Sequence, residues 1–195
     1  MAHPGAAFHL FAPPDIGLLA IGEEVRFLAG AVYRVGQFFR LLWATLRPLE
    51  PPVPVGYLRP EELALFRRLS LADQRHSLAV FQALRGKGYD DQDLLVAALL
   101  HDIGKARGPL PLWARVSIVL LEAFRPAWLE KLADPRPGSL GYPFFVYRQH
   151  AAWGAELARK AGCPPRVVGL IRRHHEPGGE SDDLLRALRR ADGAN

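Results

Sequence analysis

The chain has 195 residues, of which 49% are hydrophobic and 23% charged, a globular composition that suits one good core and excludes two large domains. Its single cysteine, Cys163, excludes an internal disulfide framework and fits a reducing compartment. The net charge of +5 favours an anionic partner, whether a nucleotide, a phosphoester, a nucleic acid or an acidic lipid surface.

Residues 1–59 are predicted to form a helical arm followed by a proline-rich linker. Apolar side chains recur in the arm at spacings of three and four residues, at Leu28, Val32, Val35, Phe39, Leu42 and Leu46. This spacing predicts an amphipathic helix of about six turns, and we call its apolar side the arm seam. The stretch RPLEPPVPVGYLRP cannot continue a helix and predicts a linker. We expect the seam to pack on the main domain, with a homodimer contact or a membrane surface as alternatives.

Residues 60–195 are predicted to form one all-α domain, because the apolar periodicity is helical and no run alternates with the period of a strand. Asp90 or Asp91 is expected to cap the second helix of this domain, and Gly104 to end it. The predicted helices cover residues 60–85, 92–102, 113–132 and 144–161, with one more from Pro165 and a last one from Asp182 or Asp183.

Targeting signals are not apparent in the sequence. The N-terminal stretch MAHPGAAFHLFAPPD lacks the charged and long apolar regions of a secretory signal. No window holds the roughly 18 uninterrupted apolar residues of a spanning helix. We therefore expect a cytoplasmic protein without a transmembrane segment.

Histidines fall on the apolar sides of the predicted helices, at His76, His101, His150, His174 and His175. Asp102 follows His101 directly, and Asp192 lies on the apolar side of the last helix. A single inward histidine is usually a core residue whose nitrogens find hydrogen bonds. Four helices that all deliver imidazoles inward would bury several polar rings at a considerable free-energy cost. A shared cation removes that cost, because neutral imidazoles and carboxylates are metal ligands.

Two cations are expected, because the carboxylate of Asp102 has two oxygens and can bridge them. The first site would be completed by His76, His101 and Asp192. The second would be completed by His150 with one or both of His174 and His175. Ligation by histidine and carboxylate without cysteine suits Fe, Mn or Zn. A hydroxide bridging the two cations would be a nucleophile near neutral pH, as in two-metal phosphoesterases.

Taken in order, these residues resemble the HD-domain metal-dependent phosphohydrolase superfamily. The matching segments are RHSLAV with His76, LLHDIGKAR with His101 and Asp102, RQHAAWGAEL with His150, IRRHHEP with His174 and His175, and LRRAD with Asp192. The resemblance covers about residues 60–193 and implies an HD-domain-like helical bundle. It also implies one or two divalent metals and hydrolysis of phosphomonoesters or phosphodiesters, often of nucleotides.

The resemblance further implies that Lys105, three residues after Asp102, contacts the substrate phosphate, so that these two residues are the catalytic candidates. A lysine near a helix C-terminus is favourable there without any such role. The HD-GYP subfamily is similar in its HDIGK and HHE elements. Here, however, the GYP of residues 141–143 precedes His150 instead of following the HHE, and we interpret it as a turn before a helix.

The function expected from these features is that of a metal-dependent phosphohydrolase, acting on a nucleotide or another small phosphoester through the metal-bridging hydroxide. The main alternative is a non-enzymatic HD-type module that keeps the site for structure or ligand sensing. A basic nucleic-acid-binding protein is a third interpretation, but no motif of aromatic and basic residues supports specific recognition of nucleic acid. Asp73, one turn before His76, is expected either to orient that ring or to contact a metal through a water molecule, with a surface position as the alternative.

Overall fold

The domain is a bundle of α-helices in a computed structural model that describes residues 56–176 and 181–195. The α-helices within these residues are α1 (Pro60–Phe66), α2 (Leu71–Gly86), α3 (Gln92–Leu100), α4 (Leu112–Phe124), α5 (Pro126–Leu132), α6 (Tyr142–Lys160), α7 (Pro165–Arg173) and α8 (Asp183–Ala194). A 3-10 helix, Ile103–Arg107, follows α3, and the described residues contain no strand. The predicted all-α fold is therefore confirmed, while the predicted arm helix lies outside the described residues.

Helix α3 lies at the centre of the bundle. Its sequence QDLLVAALL is apolar on all sides, and the seven residues from Leu94 to Leu100 are buried. A helix that is apolar all round must be covered all round, and α3 packs against α2, α7 and α8. Asp91 caps it, because its side chain accepts a hydrogen bond from the backbone N–H of Leu94 at 3.0 Å.

The first predicted helix, over residues 60–85, is wrong as one helix, because the chain breaks it between Phe66 and Leu71. Ser70 is the N-cap of α2, and its hydroxyl oxygen accepts from the N–H of Asp73 at 3.2 Å. A serine oxygen in this position satisfies a backbone donor that the first turn of a helix leaves open. The cap therefore starts a new helix, α2, and sets the position of His76 within it.

The end of α3 also differs from the prediction that Gly104 terminates a helix over residues 92–102. The α-helix ends at Leu100, and the chain continues through the 3-10 helix that contains Gly104. A Cβ atom at Gly104 would lie 1.9 Å from the carbonyl oxygen of His150. Glycine is therefore required there for close packing of the 3-10 helix on α6, and not for ending a helix.

The predicted helix over residues 113–132 is two helices, because Pro126 starts α5 and lacks the N–H that would continue α4. Helices α4 and α5 pack against the first half of α6 through a small second core of Ile118, Leu129 and Phe144. Tyr142 and Pro143 are the first two residues of α6, so the interpretation of the GYP of residues 141–143 as a turn before a helix is wrong: Gly141 is the N-cap, and Pro143 is tolerated because the first turn of a helix does not need its N–H.

The last two helices begin as predicted. Pro165 is the first residue of α7, where its missing N–H is no loss. Asp182 caps α8 by accepting from the N–H of Leu185 at 3.1 Å, and Arg173 at the end of α7 donates to Asp182 at 2.7 Å. This contact ties the two helices that carry His174 and Asp192. Among the described residues, no helix combines the length and apolar content needed to cross a bilayer.

Candidate metal centre

Two helices end at the centre of the bundle with a histidine. His101 is the C-cap of α3, and His174 is the C-cap of α7. Both side chains are buried, although imidazole is polar. The C-terminal end of a helix carries a partial negative charge that favours a nearby cation. The C-terminal ends of α3 and α7 therefore favour a positive charge at the place where they meet.

Three further helices complete the cluster, through His76 of α2, His150 of α6 and Asp192 of α8. The Nε2 atom of His76 lies 2.8 Å from Asp192 Oδ1. The Nε2 atom of His150 lies 3.2 Å from Nε2 of His174. Residues as far apart in sequence as His76 and Asp192 thus meet at one centre, which we call the metal cluster.

Asp102 lies between the two sides of the metal cluster. Its Oδ2 atom is 3.6 Å from His101 Nε2 and 3.9 Å from His76 Nε2. Its Oδ1 atom faces the other side and lies 3.4 Å from His150 Nε2. The two oxygens of one buried carboxylate therefore face different histidines.

Main-chain carbonyl groups orient three of the rings. Nδ1 of His101 donates to the carbonyl of Ala98 at 2.9 Å, and Nδ1 of His174 donates to that of Ile171 at 2.6 Å. His150 makes the same contact with the carbonyl of Tyr147. A carbonyl only accepts, so the proton of each neutral ring is on Nδ1 and the lone pair is on Nε2. A histidine that donates one nitrogen in this way presents the other to a metal.

The buried polar atoms of the cluster fit a cation. Within the described residues, His101 Nε2, Asp102 Oδ1 and His76 Nδ1 are buried without a hydrogen-bond partner. His150 Nε2 and His174 Nε2 lie 3.2 Å apart. If both rings are neutral with the proton on Nδ1, the lone pairs of these two nitrogens face each other without a proton between them. Such atoms carry a free-energy penalty unless something binds them. A cation bound to Asp102 Oδ1 and to Nε2 of His101, His150 and His174 would relieve the penalty at these four atoms, although not at His76 Nδ1.

The carboxylates of the cluster are ionised. Burial opposes the charge of Asp102, but the neighbouring charge of Lys105 and those of the surrounding histidines outweigh it, so the pKa of Asp102 lies well below its usual value. Burial is likewise outweighed at Asp192, whose pKa is held well below its usual value by contacts with His101 and His76. Ionised carboxylates are the form that binds divalent metals.

The histidines differ in charge. Burial lowers the pKa of His150 to about 3, with a further contribution from the charge of Lys105, and burial lowers the pKa of His174 well below its usual value. Both rings are therefore neutral, as metal ligands must be. At His101 burial is outweighed by the charges of Asp102 and Asp192, which raise the pKa to about 9. The two carboxylates thus favour a positive charge beside His101 Nε2.

All seven predicted ligands come together around this point. Three groups have ligand atoms close enough to hold one ion, namely His150, His174 and His175; His76, His101 and Asp102; and His101, His174 and Asp192. His174 is buried and belongs to two groups, whereas His175 is exposed and belongs to one. The groups could hold a metal, and the role of each residue as a ligand stays a prediction.

Lys105 lies in the 3-10 helix beside the cluster, where its Nζ donates to Asp102 Oδ2 at 2.6 Å. Burial opposes the charge of Lys105, but the carboxylates of Asp102 and Asp73 outweigh it and raise its pKa. The lysine is therefore a fixed positive charge at the edge of the metal cluster. The contact with substrate phosphate that the resemblance implies stays a prediction.

A salt bridge next to the cluster was not anticipated from the sequence. Arg115 of α4 donates to both oxygens of Asp73, at 2.7 and 2.8 Å. Asp73 is buried, so the expectation that it lies at the surface is wrong; its carboxylate accepts from Arg115 and Ser70, and no hydrogen bond joins it to the ring of His76. Because 42 residues separate the two partners, no local sequence pattern indicates the pair.

A second unanticipated contact joins α4 to α6. The hydroxyl of Tyr147 donates to a carboxylate oxygen of Glu122. Burial and the charge of Glu122 raise the pKa of Tyr147 well above its usual value, so the phenol keeps its proton. The ring of Tyr147 lies 5.4 Å from that of His150 and 6.0 Å from that of His175, measured between centroids. This pair therefore fixes one wall of the metal cluster.

Comparison with known proteins gives a family for this arrangement. The sequence model of the HD domain matches residues 74–194, which is more than half of the chain and includes every predicted ligand. No curated protein and no solved structure matched the chain. The match confirms the resemblance seen in the ordered histidines and aspartates, and the chain belongs to the HD domain family.

Proposed function

We propose that this protein is a metal-dependent phosphohydrolase that cleaves a small phosphoester, such as a nucleotide, with two divalent cations at the metal cluster. The observation that carries the proposal is the position of Asp102, whose two buried carboxylate oxygens face histidine Nε2 atoms on opposite sides. Membership of the HD domain family supports the same chemistry. Ligation by histidine and carboxylate suits Fe, Mn or Zn.

The residues divide into two groups around Asp102. On the Oδ2 side, the proposed ligands are His76, His101 and Asp192. On the Oδ1 side, the proposed ligands are His150 and His174, with the exposed His175 at the edge. Divalent cations in such a site polarise a phosphoryl oxygen and activate water near neutral pH.

The protein's own groups prepare the site for that chemistry. Carbonyl groups of α3, α6 and α7 hold three rings with Nε2 toward the centre. Lys105 supplies a positive charge beside Asp102, and its ammonium has three donors, of which this contact uses one. We propose that another donor binds a phosphoryl oxygen through a charge-assisted hydrogen bond.

The test is reconstitution of the full chain with Mn²⁺, Fe²⁺ or Zn²⁺ after chelation, followed by elemental analysis and assays on nucleotide monophosphates, diphosphates and cyclic phosphates. Asp102→Asn removes one charge from the cluster. The matched control is Asp90→Asn, because Asp90 is exposed. We expect metal-dependent hydrolysis by the wild type and the control, and a loss of at least about 100-fold in Asp102→Asn, since even outer contacts of metal ligands are worth 10- to 100-fold.

Two results would count against this function. Wild-type protein that retains none of the three metals would remove its chemical basis. Metal binding without turnover of any phosphoester in the panel would instead indicate the alternative, a binding or regulatory module of the same family.

A further inference from the structure

Large exposed apolar side chains lie on α4, on α5 and in the segment between α5 and α6. We call this surface the outer face, and it consists of Leu112, Trp113, Leu120, Trp128, Leu132 and Leu140. Trp113 and Trp128 are 46% and 53% exposed, and Leu140 is 82% exposed. Large apolar residues scattered singly are normal on a protein surface, whereas a contiguous group of them marks a contact site.

Helix α4 is more apolar than its burial in the described residues requires. Its 13 residues, LWARVSIVLLEAF, include eight apolar or aromatic residues besides two alanines, yet only Ala114 and Ile118 are buried. In α3, which is similarly apolar, all residues from Leu94 to Leu100 are buried. Helix α4 therefore has the composition of a helix covered on more than one side, while the described residues cover one side.

The outer face also contains a concave site. A groove of about 340 Å³ lies between α4, α5 and the start of α6, and it is lined by Trp113, Leu132, Leu140, Gly141 and Phe144. The lining is almost wholly apolar. It suits apolar side chains that project from a neighbouring helix, and it offers little to a charged ligand.

We propose that the arm seam of the same chain packs on the outer face. The seam runs over residues 28–46, and a helix of that length is ~27 Å long at 1.5 Å per residue. Helix α4 is ~20 Å long by the same rise, so the seam is long enough to cover α4 and to extend over part of α5. An amphipathic helix of this kind gains most of its stability from packing its apolar side. The chain thus contains one apolar seam and one apolar face that complement each other.

The linker is long enough for this contact. Arg59, near the start of the described residues, donates to the carbonyl of Gly162 just beyond the end of α6, at 2.9 Å. Phe144, beneath the outer face, lies in the first turn of α6, so the helix rise separates the two points by ~27 Å. The proline-rich stretch from residue 46 to residue 56 spans ~31 Å if extended at 3.1 Å per residue. The seam can therefore reach the outer face within one chain.

The linker also favours the intramolecular contact over a contact with a second copy of the chain. A short linker gives an effective concentration on the order of millimolar, which a second copy of the chain reaches only at high protein concentration. Pairing of two outer faces would also leave both arm seams uncovered. Packing of the seam on the outer face buries both apolar surfaces at once.

The test is hydroxyl-radical footprinting of the full chain, with oxidation of each tryptophan read by mass spectrometry. Phe39→Glu places a charge in the centre of the arm seam, and Gln37→Glu places the same charge on the arm outside the seam. Trp153 of α6 is the internal reference, because its ring packs against Phe145 and Arg107 and it is not one of the residues of the outer face. Sedimentation over a range of protein concentrations gives the oligomeric state.

We expect Trp113 and Trp128 to be protected in the wild type and in Gln37→Glu, and to be oxidised several-fold faster in Phe39→Glu, with Trp153 unchanged and the chain monomeric. Equal oxidation in the wild type and Phe39→Glu would overturn the proposal. Protection that grows with protein concentration alongside a dimer would assign the outer face to a second copy. Protection seen only with vesicles of acidic phospholipid would assign it to a membrane surface, and either result would overturn the intramolecular contact.

If Trp153 were also oxidised faster in Phe39→Glu, the variant would have lost its fold. Phe39→Ala then makes the same comparison, because it removes apolar area from the seam without adding a charge. Faster oxidation of Trp113 and Trp128 in that variant, with Trp153 unchanged, supports the proposal, and oxidation equal to that of the wild type overturns it.

Discussion

Gly104 lies where the backbone of the 3-10 helix approaches the backbone of α6 closely. A Cβ atom there would lie 1.9 Å from the carbonyl oxygen and 2.6 Å from the carbonyl carbon of His150, both backbone atoms of a helix. We expect Gly104→Ala to lower the free energy of unfolding by more than about 3 kcal/mol, beyond the usual range for overpacking. Urea denaturation followed by circular dichroism measures this change.

The control for this substitution is Gly169→Ala, inside α7. Apart from its chain neighbours and the backbone of its own helix, no atom lies within 4 Å of a Cβ built at Gly169. Alanine is favoured over glycine inside a helix by about 0.8–1.0 kcal/mol, so this variant should be as stable as the wild type or more so. Similar stabilities for the two variants would contradict the close approach at Gly104.

The salt bridge between Arg115 and Asp73 should stabilise the fold to a degree that depends on pH. Burial opposes the charge of Asp73, but the bonds from Arg115 and the charge of Lys105 outweigh it and hold its pKa below the usual value. We expect Arg115→Met to lower the free energy of unfolding by about 3–5 kcal/mol at pH 7, because it leaves a buried carboxylate without its main partner.

The sign of the pH effect follows from the lowered pKa. In the wild type, the bridge contributes stability above the unfolded pKa of Asp73, about 3.9, and the contribution is lost as the pH falls through the lower folded value. In Arg115→Met, burial would raise the pKa of Asp73. The carboxylate would then be protonated in mildly acidic solution, which removes the free-energy penalty of burying its charge. The difference between the two proteins should therefore narrow from pH 7 toward pH 4. A constant difference in urea midpoints over that range would contradict this assignment.

Among the helices, the start of α3 gives the sharpest comparison, because two aspartates precede it. Asp91 accepts from the N–H of Leu94, whereas Asp90 is exposed. We expect Asp91→Ala to lower the free energy of unfolding by about 1 kcal/mol, and Asp91→Asn to retain most of the stability, since asparagine also caps. Thermal denaturation of these variants and of Asp90→Ala measures the effect. An equal loss of stability in Asp90→Ala would contradict the assignment of Asp91 as the cap.

The sequence predicted the presence of the helices better than their limits. Helical periodicity identified every apolar run that became a helix, but it carried two runs across breaks. At Pro126 the signal was present, because proline lacks the N–H that continues α4. At Ser70 the break depends on one side chain that accepts a backbone hydrogen bond, and serine is also tolerated inside helices.

The candidate ligands could be predicted because each depends on local spacing. A histidine on the apolar side of a buried helix must point inward, and the order of the motifs matched a family. The contacts among them depend on how the helices dock, so the opposite-facing oxygens of Asp102 and the salt bridge from Arg115 to Asp73 had no sequence signal. Tyr147 and Glu122 meet for the same reason, across 25 residues of sequence.

For the domain as a whole, a metal that binds the native state should stabilise it. Because five helices and the 3-10 helix contribute to the cluster, unfolding would release the cation. At a concentration 100 times its dissociation constant, the cation should add about 2.7 kcal/mol to the free energy of unfolding. Thermal denaturation after chelation, with and without added Mn²⁺, Fe²⁺ or Zn²⁺, measures this effect. The same increase in Asp102→Asn would show that the metal binds elsewhere.

The carbonyl groups that orient His101, His150 and His174 belong to residues of the same helix, three positions earlier. Substitution at Ala98, Tyr147 or Ile171 changes a side chain and leaves the acceptor in place. Ring orientation at this site is therefore insensitive to the identity of these residues and depends only on the last turn before each histidine staying helical. At His150, Ala151→Pro lies four residues after the acceptor Tyr147 and one position beyond the histidine, so it would disturb that turn and rotate the ring while every proposed ligand is still present.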